Sequence, residues 1–344
     1  MVTGSARRLG LFTHLDEPGP AGEVYRYNLD LLARAEQLGV DTAWVAVRHF
    51  RSGLAGLPAA FPFLAALAVR TSRIRLGTAV VPLAFEDPIR LAEDAAVLDA
   101  LSGGRVELGV GKGLGMGFSA ESFRAFQIDE RERERRYTST LAALRRILGG
   151  APLTDVGSTL YPPAPDLAER IWQATSDPAT TIAAAQTGDA LQLTRGVPGA
   201  DSGAVQAQQA RTYLAHYVHP NRAHPDRPPR IGISRAVVPA ASRDDALHAL
   251  GVSLRASAAR AGRSDAPASL GEVAAVADRL NTKYGTAADI ADQLAADPAV
   301  GLATDLIIGF SPLVPEPAEA RRLLEIVTTE LAPALGWSPA EALV

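Results

Sequence analysis

Two periods of apolar spacing alternate along this chain. Short runs rich in Val, Ile and Leu read as strands, and between them apolar residues recur every three to four positions, as on one face of a helix. The alternation predicts βα units around a parallel sheet. Strands are expected at 7–13 (RRLGLFT), 41–47 (DTAWVAV), 73–81 (RIRLGTAVV), 105–110 (RVELGV), 170–176 (RIWQATS), 189–195 (DALQLTR), 230–238 (RIGISRAVV) and 304–310 (TDLIIGF). Helices are expected at 24–38, closed by Gly39, at 58–71, from Pro88 onward and at 129–148, where the charges form a solvated face. Eight strands without a break in composition predict a (β/α)₈ TIM barrel in an α/β chain rather than a doubly wound sheet, with 1–344 as one domain carrying inserted loops. The stretch 154–165 reads as a small hairpin or an extended excursion. Segments 195–208 and 260–271, rich in Gly, Ser, Pro and Ala, read as irregular, either lids over a pocket or surface connections.

Composition removes whole classes of function. The 344 residues are 47% hydrophobic with a net charge of −4, which leaves ample core and no electrostatic footprint for nucleic acid. The absence of cysteine excludes disulfides, thiolate catalysis and cysteine-ligated zinc. No run approaches the ~18 uncharged apolar residues of a membrane span, and the polar start lacks the apolar stretch of a signal peptide, so a cytoplasmic protein is expected. Lysine is scarce: only Lys112 and Lys283 occur.

In a barrel of this kind the chemistry lies at the carboxyl ends of the strands, which directs attention to His14, Arg48, His49, Phe50, Ala79, Val80, Arg195 and Arg235. The turn GVGKGLG (109–115) follows a strand, and its bare N–H groups with the Lys112 ammonium suit a phosphate, or equally form a plain structural turn. It is neither a nucleoside-triphosphate loop nor a dinucleotide turn, because Gly113 follows the lysine and the glycine spacing differs. In TSDPATT (175–181), Ser176 or Asp177 caps a helix begun by Pro178 with Thr180 in its first turn. That is either an anion site or simply a capped helix. His216, His219 and His224 cluster in HYVHPNRAHP but lack carboxylate companions apart from Asp226, so no metal is expected.

Four blocks together, LAEDAAVLDALSGGRVELGVGKG (91–113), ESFRAFQIDERERERRYTSTLAALRRIL (121–148), IWQATSDPATTIAAAQTGDALQLTRG (171–196) and YGTAADIADQLA (284–295), resemble the bacterial luciferase-like flavin-dependent monooxygenases. The resemblance implies a two-component monooxygenase that receives reduced FMN from a separate, transiently bound flavin reductase and uses molecular oxygen to oxidise a small organic substrate. It implies that Lys112, with Gly113 and Leu114 through their backbone, and Ser176 and Thr180 through their hydroxyls, hold the FMN phosphate. It also implies a non-proline cis peptide at Ala79–Val80 beneath the flavin ring, and a homodimer. One position departs from the family pattern: where related sequences often carry two histidines before phenylalanine, this chain has Arg48–His49–Phe50. Arginine stays protonated and makes a poor general base, so His49 takes over that role or Arg48 binds an anionic substrate or intermediate. His14 and Arg195 are the further candidates for contact with substrate. Two alternatives share the fold: a deazaflavin-dependent oxidoreductase and a catalytically silent flavin-binding protein.

Overall fold

The computed structural model describes residues 7–50, 56–113, 120–193, 195–196, 201–218 and 228–337. Its strands are β1 (Arg8–Thr13), β2 (Thr42–Val45), β3 (Arg75–Thr78), β4 (Val81–Pro82), β5 (Val106–Gly111), β6 (Ile171–Thr175), β7 (Ala190–Leu193), β8 (Ile231–Pro239), β9 (Thr282–Gly285) and β10 (Asp305–Gly309). Every pairing is parallel, and the ring β1–β2–β3–β5–β6–β7–β8–β10 closes where β10 pairs with β1. This is the eight-stranded barrel expected from the alternation. Helices α1 (Ala21–Gln37), α2 (Ala60–Ala68), α3 (Pro88–Ser102), α4 (Ala120–Ala125), α5 (Arg133–Leu148), α6 (Pro178–Thr187), α7 (Ser202–His216), α8 (Arg243–Arg260), α9 (Leu270–Arg279), α10 (Ala287–Ala295), α11 (Pro317–Ile326) and α12 (Ala332–Ala334) fall between and after the strands. None among the described residues is long and apolar enough to cross a membrane.

The period of two along each strand sorts the barrel interior into layers. At the amino ends lies a charged layer. Glu107, fully buried, accepts the Trp172 indole N–H at 2.7 Å, pairs with Arg230 at 3.0 Å and Arg8 at 3.6 Å, and meets Arg75. Arg230 also reaches Asp305 at 3.0 Å. Burial alone would raise the Glu107 carboxyl, but Arg230, Arg75, the Trp172 N–H and Arg8 overrule it and hold it down at about 2. Two residues further along each strand, Trp44 and Trp172 fill the middle edge to face, 5.3 Å apart. Gly10 and Gly77 face them, and a Cβ at Gly77 would lie 2.2 Å from the Trp44 ring. The barrel is therefore plugged at the bottom and middle, and only its carboxyl-terminal mouth is left for a ligand.

Several expected elements change shape. The stretch 73–81 is two strands, because residues 79–80 leave the ladder between β3 and β4. From Ser202 the irregular segment 195–208 is helical: the Asp201 carboxylate accepts the Ala204 N–H at 3.1 Å and starts α7, whose small and amide residues Gly203, Ala207 and Gln206 are buried. Over 154–165 the chain makes turns closed by Leu153 N–H to the Ser158 carbonyl at 2.7 Å, with no strand. The helix expected over 129–148 opens with one tight turn, Glu130–Glu132, before α5. β9 has no counterpart in the sequence expectations; it extends the far end of β8 by pairing Ala236 with Thr282.

Candidate functional site

Extending the inward parity past the strand ends builds the wall of a cavity of about 340 Å³. Phe12 and His14 come from β1, Ala46 and Arg48 from β2, Ala174 from β6, Gln192 from β7, Ser234 from β8 and Ile307 from β10. Part of the remaining wall is a bulge. The step from Gly77 to Val81 spans four residues, where its partner's step from Glu107 to Val110 spans three. The extra residue pushes Ala79 and Val80 into the cavity, and the peptide joining them is cis, as the family resemblance implies. Ala79 is anchored by its N–H to the Val45 carbonyl at 2.8 Å, and the Thr78 hydroxyl donates to the Gly109 carbonyl at 2.8 Å.

That bulge accounts for part of the glycine turn. A Cβ on Gly109 would lie 1.9 Å from the Thr78 carbonyl oxygen, and one on Gly111 would lie 2.7 Å from Val80 Cγ2. The space these glycines leave is thus filled by the neighbouring strand, which corrects the expectation that the whole bare turn is shaped for a ligand. Gly113 differs: its φ of +79° needs glycine, and it borders the cavity. Leu114 lies outside the described residues, as do His219 and His224; His216 is exposed, with Nδ1 2.9 Å from the Thr212 carbonyl.

The cavity is positively charged at its mouth. Arg48 and Arg195 both line it, and their charges, after burial itself, push His14 well below its usual value, so this imidazole is neutral at pH 7. Burial first and then the Arg48 charge push Arg195 down to about 10, against the opposing pull of Asp16. Arg195 donates to the Ser311 carbonyl at 2.7 Å, and the Ser311 hydroxyl reaches Asp16 at 3.3 Å. Burial raises the Asp16 carboxyl, against the opposing pull of the Ser311 hydroxyl and the Arg48 charge. Arg235 does not join them: it is fully buried and bound to Asp297 at 2.9 and 3.0 Å.

His49 closes the other side, packed against Phe126 at 5.0 Å and Phe85 at 5.8 Å. Burial lowers its pKa, and its Nε2 is buried with no hydrogen-bond partner among the described residues. Such an orphaned atom at a cavity wall is a place for a ligand's polar group. Sequence reading missed Phe12, Gln192, Ser234 and Ile307; the period of two, continued from Arg8, Ala190, Arg230 and Asp305, would have found all four.

Lys112, Ser176 and Thr180 stand apart from the cavity wall, although Lys112 and the start of α6 do come together. Lys112 Nζ lies 2.8 Å from the Glu134 carboxylate and 3.5 Å from that of Asp177. Asp177 caps α6 through the Thr180 N–H at 2.9 Å and the Thr180 hydroxyl at 2.7 Å, and Ser176 is exposed. A planar, mostly apolar ring fits the cavity, with the bulge as one wall and His49 Nε2 as an anchor. A phosphate dianion does not fit the Lys112 corner as it stands, because two carboxylates already occupy the ammonium and the helix end.

A closed parallel barrel with a small-molecule cavity at the carboxyl ends of its strands defines a (β/α)₈ protein with its site at the usual mouth. Residues 8–312 match the family model described as luciferase-like monooxygenase, and the chain belongs to that family. It is 38% identical over 130 residues to 4-hydroxyprotoasukamycin monooxygenase of Streptomyces nodosus subsp. asukaensis, covering 38% of this chain and 34% of the relative. It is 33% identical over 180 residues to an F420-dependent glucose-6-phosphate dehydrogenase of Beutenbergia cavernae, covering 48% and 53%. To the oxygenase component of the flavin-dependent trigonelline monooxygenase of Acinetobacter baylyi it is 27% identical over 202 residues, covering 54% of each. The matches thus span between a third and about half of these relatives' own length. Among solved structures, monooxygenase RslO1 from Streptomyces bottropensis superimposes with a TM-score of 0.74 at 24% identity, covering 95% of this chain and 99% of that one. The oxygenating constituent of 3,6-diketocamphane monooxygenase from Pseudomonas putida, in complex with FMN, gives 0.70 at 17%, covering 95% and 98%. At these identities the structural likeness carries the fold alone.

Proposed function

We propose that this chain is a flavin-dependent monooxygenase: the oxygenase component of a two-component system, taking reduced FMN from a separate reductase and using molecular oxygen to oxidise a small organic substrate. The observation that carries the reading is the cavity at the barrel mouth walled by the Ala79–Val80 bulge, in a chain of this family. The flavin, when bound, supplies the redox chemistry, and the protein's part is to hold the ring, exclude water and place the substrate. His49 and His14, both neutral at pH 7, are hydrogen-bonding groups that accept or donate without bringing charge. Arg48 and Arg195 favour a substrate carrying an anionic group, since a carboxylate between them relieves their mutual repulsion. The same reading places the protein in the cytoplasm as a homodimer, with light scattering as the check on assembly.

The test is to oxidise reduced FMN with oxygen in the presence and absence of the protein and to measure hydrogen peroxide released per flavin. The reading requires slower or smaller release with the protein present; identical release rejects it. The F420-dependent relative favours a second reading, a deazaflavin-dependent oxidoreductase at the same cavity. Fluorescence titration with FMN and with F420 separates the two.

A further inference from the structure

The corner expected to grip the cofactor's phosphate is already balanced by the chain's own acids. Lys112 is its one ammonium group among the described residues, and it faces two carboxylates, Glu134 at 2.8 Å and Asp177 at 3.5 Å. Of the other donors expected to serve a phosphate, those of Thr180 are likewise taken: its N–H and hydroxyl both bond to Asp177. Those two bonds, with the Lys112 charge, hold the Asp177 carboxyl below its ordinary value, so it is ionised at pH 7. The corner therefore carries a net charge of about −1, only partly offset by the roughly half-unit positive charge of the α6 amino terminus. A phosphate bearing about two negative charges would enter against that field.

The two acids differ in how easily they yield. Glu134 stands on the first turn of α5 with 62% of its side chain exposed, so it rotates away at little cost. Asp177 cannot leave without uncapping α6. A phosphate taking the Thr180 donors would have to displace the cap, and one that leaves the cap in place finds those donors occupied.

We propose that this protein does not select the phosphate of its flavin, and that it recognises the ring and sugar-alcohol chain instead, so that FMN and uncharged riboflavin bind about equally well. The inference rests on the flavin reading above and specifies which part of the flavin is held. A ligand held without its phosphate also exchanges readily, as a reduced flavin delivered by another protein must.

The experiment is a fluorescence titration of the full chain with FMN and with riboflavin, repeated anaerobically with both in the reduced state. The expected dissociation constants agree within about threefold. Asp177→Asn keeps a good cap, and Glu134→Gln is at an exposed site, so both variants should fold. Together they should tighten FMN by about tenfold while leaving riboflavin unchanged, because they remove like charge that only the phosphate feels. FMN binding more than about tenfold tighter than riboflavin in the unaltered protein overturns the inference and leaves the flavin reading standing. So does a double variant that leaves FMN unmoved or tightens both flavins alike. Failure of either flavin to bind at all overturns the flavin reading itself, and the inference with it.

Discussion

Gly109→Ala should damage stability and the cavity together, through one contact. The added Cβ would lie 1.9 Å from the Thr78 carbonyl oxygen, more than 1 Å inside ordinary contact, and that oxygen belongs to backbone that cannot swing aside. The bulge at 78–80 has to retreat. Overpacking of this kind typically costs 1–3 kcal/mol, and a backbone clash belongs at the upper end, about 3 kcal/mol. At roughly 2.1 cal/mol/K of unfolding entropy per residue, the chain's transition entropy is about 0.7 kcal/mol/K, so Tm falls by about 4 °C. Because the displaced segment carries Ala79 and Val80, flavin affinity should fall with it, on the order of tenfold or more. Gly104→Ala is the control: its φ is +83° and nothing lies within 4 Å of the added Cβ. It should cost about 1 kcal/mol through backbone strain and leave flavin affinity alone. Calorimetry and flavin fluorescence on both variants decide the matter. A Gly109→Ala protein with unchanged Tm and unchanged flavin binding would refute the claim that the glycine exists for the bulge.

Three further outcomes follow from the barrel's charges. Glu107→Gln leaves Arg230, Arg75 and Arg8 around a neutral amide and should cost about 3–5 kcal/mol in denaturant unfolding, with a cost under 1 kcal/mol counting against the buried network. The folded-state pKa of Glu107, about 2, lies below the unfolded 4.5. Its contribution of about 3 kcal/mol is therefore present above pH 4.5 and lost as pH falls from 4.5 towards 2, and the variant should lack that part of the acid limb. His14 is also pushed below its unfolded 6.5, so the unfolded chain takes up the proton first and stability declines as pH drops below 6.5. His14→Asn should flatten the curve between pH 6.5 and 5, and an unchanged slope there would contradict a neutral His14. Millimolar benzoate, a small carboxylate, should raise the Tm of the unaltered protein but not of Arg195→Gln; equal shifts in both would mean that Arg195 does not meet the anion.

The barrel was legible because strand residues buried on both faces read as apolar runs, and the strands of the barrel ring each produced one. β9 escaped notice because TKYG carries a lysine, a glycine and no apolar run; its Tyr284 is buried by packing against β8 and the helices around it, which no local pattern encodes. The start of α7 was hidden by the Gly and Ser of 195–208, although Asp201 three residues before Ala204 was a capping signal in plain view. Site residues divide along the same line. Those at strand ends, His14, Arg48, His49 and Arg195, converge on one cavity because strand direction brings all four to its mouth, and parity turns His14 and Arg48 inward. Lys112 reads as a phosphate ligand only while its neighbours are unknown, since Glu134 comes to it from another helix and Asp177 from another strand's end.

The block most specific to the family, LDALSGGR, holds the barrel together rather than performing chemistry. Asp99 receives Arg170 at 2.7 and 2.8 Å and the Val106 N–H at 3.2 Å, which ties α3, β5 and the entry to β6 into one joint. Gly103, at a φ of +69°, ends α3. Arg105 then spends its donors on the carbonyls of Ala68, Thr71, Ile74 and Ser102 and on the Thr71 hydroxyl, all within 3.0 Å, locking α2 and β3 beside β5. A junction with so many fixed partners tolerates little change and so identifies the fold. The cavity wall has fewer internal obligations: His49 Nε2 has no partner among the described residues. Substitution at such positions costs little stability, so they are where members of one family come to differ in what they bind. We propose that the charges of Arg195, Glu134 and Asp177 set the chain's own specificity, so the variants at those three positions bear on its function more directly than any change in the block by which its family is recognised.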